Sequence, residues 1–329
     1  MIARFIAGAV LAAALAGAAH AQGAPQGTPL GTKLTVMVFP GVQNMPIIAA
    51  QTKGYFAKRG LNVEVLTAPS SEALRTGLIE GKHQIVHATA DNAVAMAEVA
   101  KADISILMGG DNGWNRFLVQ PDIASVKDLR GKTVIVDSPD TAFAFQVFQV
   151  LKLNGLNKGD YEVRSVGGTQ KRFEAMKSDK TAAASTLFPP FSILAKRAGL
   201  KDLGEIIPMI GPYQGTVAWA MKPWAEANSN TVIRYIQAYI EGLRWTLDPR
   251  NKDEAIALIA SQFKLEPLVA EEAYTIAADP KSGMTKDAML GLEGLNNVLK
   301  LRAEWTGVAP GDPHRYIDLS HYLKAHVGL

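Results

Sequence analysis

The chain has 329 residues, 48% of them hydrophobic, with 34 Lys and Arg against 31 Asp and Glu for a formal net charge of +3. That length and apolar fraction allow substantial cores and two domains of roughly 100–200 residues each, while the scattered, near-balanced charge lacks the basic stripe with interleaved aromatics that a nucleic-acid partner requires. With no cysteine there is no disulfide framework, thiolate nucleophile or zinc knuckle, and the chain can fold in an oxidising compartment.

Residues 1–21 read as a secretory signal: Arg4, an apolar run over residues 5–19, and a closing Ala19-His20-Ala21. The run is shorter than the roughly 20 residues a membrane span needs, so cleavage after Ala21 is expected rather than an uncleaved anchor. Residues 22–32, rich in Gly, Pro and Gln, read as a loose leader.

From there the pattern alternates. Residues 33–38 form a strand that breaks at Phe39-Pro40-Gly41, Pro46 suits the first turn of a helix, and Gly54 stops that helix. Residues 60–66 make a second strand ending at Pro69-Ser70-Ser71-Glu72, a helix start. Leu74 and Leu78 share one face of the helix that follows, Gly81 ends it, residues 84–88 are apolar enough for an interior strand, and Thr89-Ala90-Asp91-Asn92 opens a third helix. Strands alternating with short helices imply a parallel sheet whose ligands lie outside the carboxyl ends of the strands, so three loops converge on one cleft.

Residues 104–108 give a fourth strand, and Gly109-Gly110-Asp111-Asn112-Gly113 turns the chain before Trp114 and a strand over 116–120. That turn reads either as a hairpin or as a crossover between lobes. A second alternating unit follows: strand 133–136, loop 137–141, a helix with Phe143, Val147, Val150 and Leu151, strand 161–166, the turn Gly167-Gly168-Thr169-Gln170 into another helix, and strand 181–187 ending in Phe188-Pro189-Pro190. Gly167-Gly168-Thr169 reads as a plain turn or as a helix start offering N–H groups to a ligand oxygen. Residues 206–215 look like a return crossover, 217–221 a strand rejoining the first unit, and the remainder is helical, with Val232, Ile233, Ile236, Tyr239, Ile240 and Leu243 spaced to pad the first lobe.

The segment with Gly54-Tyr55-Phe56, Gly60-Leu61 and Gly81, together with Asp128-Leu129-Arg130-Gly131-Lys132, resembles the periplasmic solute-binding proteins of ABC importers of the nitrate, sulfonate, taurine and thiamine-precursor type. The resemblance implies an α/β, two-lobed periplasmic binding protein of type II: two Rossmann-like domains joined by two hinge crossovers. Domain I would comprise residues 33–112 and 216–329, and domain II residues 113–215. It implies capture of a small organic solute between the lobes, transient delivery to transmembrane permease subunits, a monomeric exported protein, and neither cofactor nor metal. The runner-up is an enzyme on the same fold, because pyrimidine synthases related to this family share it; they carry a Cys-rich motif, which this chain lacks.

On that architecture the first lobe presents Phe39, Gln43, Asn44, Ser70, Ser71, Thr89, Ala90 and Asp91 to the cleft, the crossover presents Trp114, and the second lobe presents Ser138, Thr141, Gly168, Thr169 and Phe188, the last as a stacking face. None of these loops carries Lys or Arg, so an anion would depend on helix N-termini and hydroxyls. Asp91 either caps its helix or faces the cleft and selects a cationic or hydrogen-donating group. A neutral or zwitterionic solute with an apolar part on Phe39 or Phe188, and a sulfonate-like anion, both remain open. Among the histidines, His83 and His87 lie four apart at a strand entry, too far along it to chelate, and no Gly-x-Ser-x-Gly or His-Glu-x-x-His appears. No catalytic site is expected.

Overall fold

The computed structural model describes residues 31–309 and 311–329; the expected signal over 1–21 and nearly all of the leader lie outside them. The strands, in chain order, are β1 (Thr32–Val38), β2 (Leu61–Thr67), β3 (Ile85–Thr89), β4 (Ile104–Met108), β5 (Arg116–Val119), β6 (Thr133–Val136), β7 (Glu162–Ser165), β8 (Ala182–Leu187), β9 (Lys201–Glu205) and β10 (Thr216–Met221). They form two five-stranded sheets, β2-β1-β3-β10-β4 and β7-β6-β8-β5-β9.

Alternation sets the first sheet. In β1, Leu34, Val36 and Val38 point into the core, and the strand pairs in parallel with β2 and β3. β8 is buried along its whole length, which its small residues Ala182, Ala183, Ala184 and Ser185 permit between covering helices. The two sheets mirror each other. β5 is inserted antiparallel between β8 and β9, and β10 antiparallel between β3 and β4. The chain therefore passes between sheets twice, over residues 109–115 and again over 206–215.

Two features differ from the sequence reading. β9 was not expected, because Lys201-Asp202-Leu203-Gly204-Glu205 is polar; it is an edge strand pairing only with β5, where Arg116 reaches across to Asp202 and Glu205. The carboxyl-terminal helices also do more than pad the first lobe. Helix Ser229–Leu247 does lie on helix Met45–Thr52, but helix Leu292–Thr306 packs against Ala90–Glu98 of the first lobe and Ala142–Leu153 of the second, and helix Pro267–Ala277 reaches Phe191–Arg197. Lys152 with Glu304, and Lys196 with Glu272 at 2.6 Å, pair across those contacts. An apolar periodicity shows that a helix buries a stripe but leaves open which surface receives it.

The contact of helix Ser229–Leu247 with helix Met45–Thr52 rests on Gly242, where a Cβ would meet the Pro46 carbonyl at 2.1 Å and the Ala50 amide nitrogen at 2.9 Å. Alanine favours a helix by about 1 kcal/mol over glycine, yet here the obstacle is backbone, which no rotamer can relieve. Gly242→Ala is expected to destabilise by about 1–3 kcal/mol in urea unfolding; unchanged stability would show that the two helices can separate freely.

Candidate functional site

The loops at the carboxyl ends of β1, β2, β6, β7 and β8 face one another across a cleft of about 680 Å³. Eight of the expected residues line it: Phe39, Ser70, Ser71, Ser138, Thr141, Gly168, Thr169 and Phe188. Phe39, Phe143 and Phe188 continue inward to a recess of about 30 Å³ beside the crossovers, where Gln43, Thr89 and Trp114 also lie. Phe143 and Phe188 stack with centroids 5.9 Å apart, and the Arg172 guanidinium sits 5.0 Å from the centre of the Phe143 ring. Aromatic walls therefore separate a wider mouth from a narrow inner end.

Helix starts open onto the mouth. Ser70 Oγ accepts the Ala73 amide at 3.1 Å and so caps its own helix. Thr141 instead gives its hydroxyl to Asp137 and to the Ser138 carbonyl, leaving helix Ala142–Leu153 with no side-chain cap, and helix Thr169–Ser178 behind Gly168 has none either. Free N–H groups at these two starts can bind ligand oxygens.

Three expected residues lie elsewhere. Asn44 turns back to donate to the Phe39 carbonyl at 2.6 Å, holding that loop rather than lining the cleft. Ala90 is buried, with its amide on the Gly215 carbonyl. Asp91 neither caps nor faces the cleft: its helix is uncapped by side chains, and its carboxylate accepts Arg302 Nη1 at 3.0 Å. Burial pushes the Asp91 carboxyl up, and Arg302 opposes that.

The charge of the mouth also differs from the loop-only reading. Arg75 and Lys171 contribute cations from inside their helices, and Glu72, Asp137 and Asp140 contribute carboxylates. Behind them Arg172, fully buried, donates to the carbonyls of Gly167 and Thr186 and to Thr169 Oγ1, and lies 3.7 Å from Asp137. Burial pushes the Asp137 carboxyl up against the pull of Arg172. Arg75 stands four residues after Ser71, on the same helix face, so its long side chain leans back to the helix start. That spacing was the available signal for it; Arg172 stands in the same way three residues after Thr169.

Two lobes with this strand order, two crossovers and a cleft at the carboxyl ends define the two-lobed periplasmic binding-protein fold. Within it, the chain belongs to the NMT1/THI5-like family, whose family model matches residues 42–252. The structure is similar to a ligand-binding component of an ABC-type import system from Staphylococcus aureus, at 12% identity over 89% of this chain and 99% of that one, TM-score 0.76. It is similar to the periplasmic nitrate-binding protein NrtA from Synechocystis PCC 6803, at 14% identity over 91% and 89%, TM-score 0.76. It also resembles the periplasmic aliphatic sulphonate binding protein SsuA from Escherichia coli, at 17% identity over 88% and 92%, TM-score 0.69. No curated protein matches the chain.

Proposed function

We propose that this protein is the substrate-binding component of an ABC importer, capturing a small organic solute in the cleft between its lobes and handing it to transmembrane permease subunits. The observation that carries this reading is the aromatic-walled cleft of about 680 Å³ between lobes joined by two crossovers. Ligand pockets of this kind are mostly apolar with a few convergent polar groups. The name of the Staphylococcus neighbour supports the importer role, and those of NrtA and SsuA support periplasmic solute binding, with which export behind a signal over residues 1–21 is consistent. Among the described residues no helix is long and apolar enough to cross a membrane. The mouth mixes both signs of charge, which favours a solute of low net charge over a simple anion.

A thermal-shift screen of the mature chain against sulfonates, carboxylates, amino acids, pyrimidines and aromatic acids tests the reading. A ligand that binds only the folded state should stabilise it by about 2.7 kcal/mol at a hundredfold excess over Kd. Phe188→Ala, which removes one wall, is expected to weaken a hit by about tenfold or more. Chemical conversion of a bound hit, followed by mass spectrometry, would replace the binding reading with an enzymatic one.

A further inference from the structure

At the inner end of the cleft lies a carboxylate without a cation. Asp111 is 2% exposed, its Oδ1 accepts the Gly113 amide at 2.8 Å, and among the described residues its Oδ2 has no hydrogen-bond partner. The Gly113 amide is the hydrogen-bond donor the geometry gives this carboxylate, Thr216 lies beside it without meeting bonding geometry, and no Lys, Arg or His is among the residues lining the recess. The other two aspartates whose carboxyls burial raises each have a cation, Asp91 in Arg302 and Asp137 in Arg172 at 3.7 Å. Leaving a buried carboxylate unpaired is unfavourable relative to water, and burial accordingly pushes the Asp111 carboxyl up.

A second acceptor stands in the same recess. Gln43 gives its Nε2 to the Phe39 carbonyl at 3.2 Å, which orients the amide and leaves Oε1 buried and unpartnered. The recess holds about 30 Å³, the space of a single ammonium group or one water. Its outer side is the throat formed by Phe39, Phe143 and Phe188, and ring faces attract cations as well as apolar groups.

Resting on the solute-binding reading above, we propose that the solute carries a protonated amine, which enters this recess between Asp111 and Gln43 while its apolar part lies on the phenylalanine throat. The ammonium then supplies the missing counter-charge to Asp111 and a donor to Gln43 Oε1. Asp111 also joins the two crossovers, since its carbonyl accepts the Gly215 amide at 2.9 Å and Gln214 Nε2 at 3.0 Å. Seating a cation there thus acts on the segments that join the lobes.

The test compares benzylammonium with its neutral isostere benzyl alcohol, titrated into the mature protein at constant ionic strength and read by thermal shift and by tryptophan fluorescence, Trp114 being in the recess wall. Benzylammonium is expected to bind at least about tenfold tighter than the alcohol, as a charge-assisted contact in a desolvated recess should. That preference should shrink to about twofold or less in Asp111→Asn, which keeps the acceptor for Gly113. Gln43→Leu, which leaves the crossovers untouched, should weaken benzylammonium by about threefold to tenfold if Asp111→Asn does not fold. Equal affinities, no benzylammonium binding up to about 20 mM, or a preference that survives Asp111→Asn and Gln43→Leu would each overturn the proposal. A screen hit with no amine that binds this cleft would overturn it too, while leaving the solute-binding reading in place.

Discussion

Arg302→Ala is expected to remove about 3–5 kcal/mol of folding stability, because it leaves the Asp91 carboxylate buried and unpaired. The two side chains are 8% and 2% exposed and meet at 3.0 Å, so water can replace the lost partner only by opening the structure. Burial is the leading influence on Asp91 and pushes its carboxyl up even with Arg302 in place, so the ion pair itself contributes little net stability. The double variant Asp91→Leu with Arg302→Met should therefore lose much less than either single variant. Urea unfolding of the four proteins closes the cycle, and additive losses would show that the two groups do not depend on one another. Arg302 Nη1 also stands 3.5 Å from the Asp140 carbonyl, in a loop that lines the cleft from the second lobe. The single variant should consequently alter ligand affinity as well as stability, whereas a purely local loss would leave the Kd of a screen hit unchanged.

That pair shows where the sequence stops being readable. Residues 104–108 and 133–136 become strands at the bounds their apolar runs suggest, since short runs closed by Gly, Pro or polar turns have few other solutions. The side of the sheet that carries the cleft follows from strand and helix alternation alone, which is why Phe39, Ser70, Thr141 and Phe188 could be placed. Asp91 could not, because its partner lies 211 positions away on a helix whose packing surface no periodicity specifies. Arg75 and Lys171 were missed for a nearer reason: they sit inside helices, and only the backward lean of helical side chains brings them to the mouth. Asp111 read as a turn former, and so it is, through Gly113. Its second oxygen becomes informative only once the recess around it is known.

Acid is expected to destabilise the first lobe through His87, well before the paired surface carboxylates titrate. His87 is 3% exposed in the central β3, bonds the Tyr235 hydroxyl at 2.8 Å and stacks on Tyr239 at 5.0 Å. Burial lowers its pKa from 6.5 to about 3. Below pH 6.5 the unfolded chain takes up a proton that the folded one refuses, so this stability is fully present above that pH. It is lost as pH falls toward 3, at up to about 1.4 kcal/mol per pH unit. His83 acts in the same direction, its burial outweighing its bond to the Leu74 carbonyl. Asp179 and Asp248, held near 2 by their own hydrogen bonds, act in the same direction only below about pH 4. Asp91, Asp111 and Asp137, raised by burial, oppose it. The informative quantity is therefore the difference between the protein and His87→Gln, measured by urea unfolding from pH 7 to about pH 4.5. Glutamine does not titrate, so the variant should start less stable at neutral pH and lose stability more slowly on acidification, the gap narrowing by about 2–3 kcal/mol over that range. Parallel curves would mean that His87 protonates without cost, by opening of the strand or by water reaching the ring, and the buried bond to Tyr235 would then contribute nothing to the acid response.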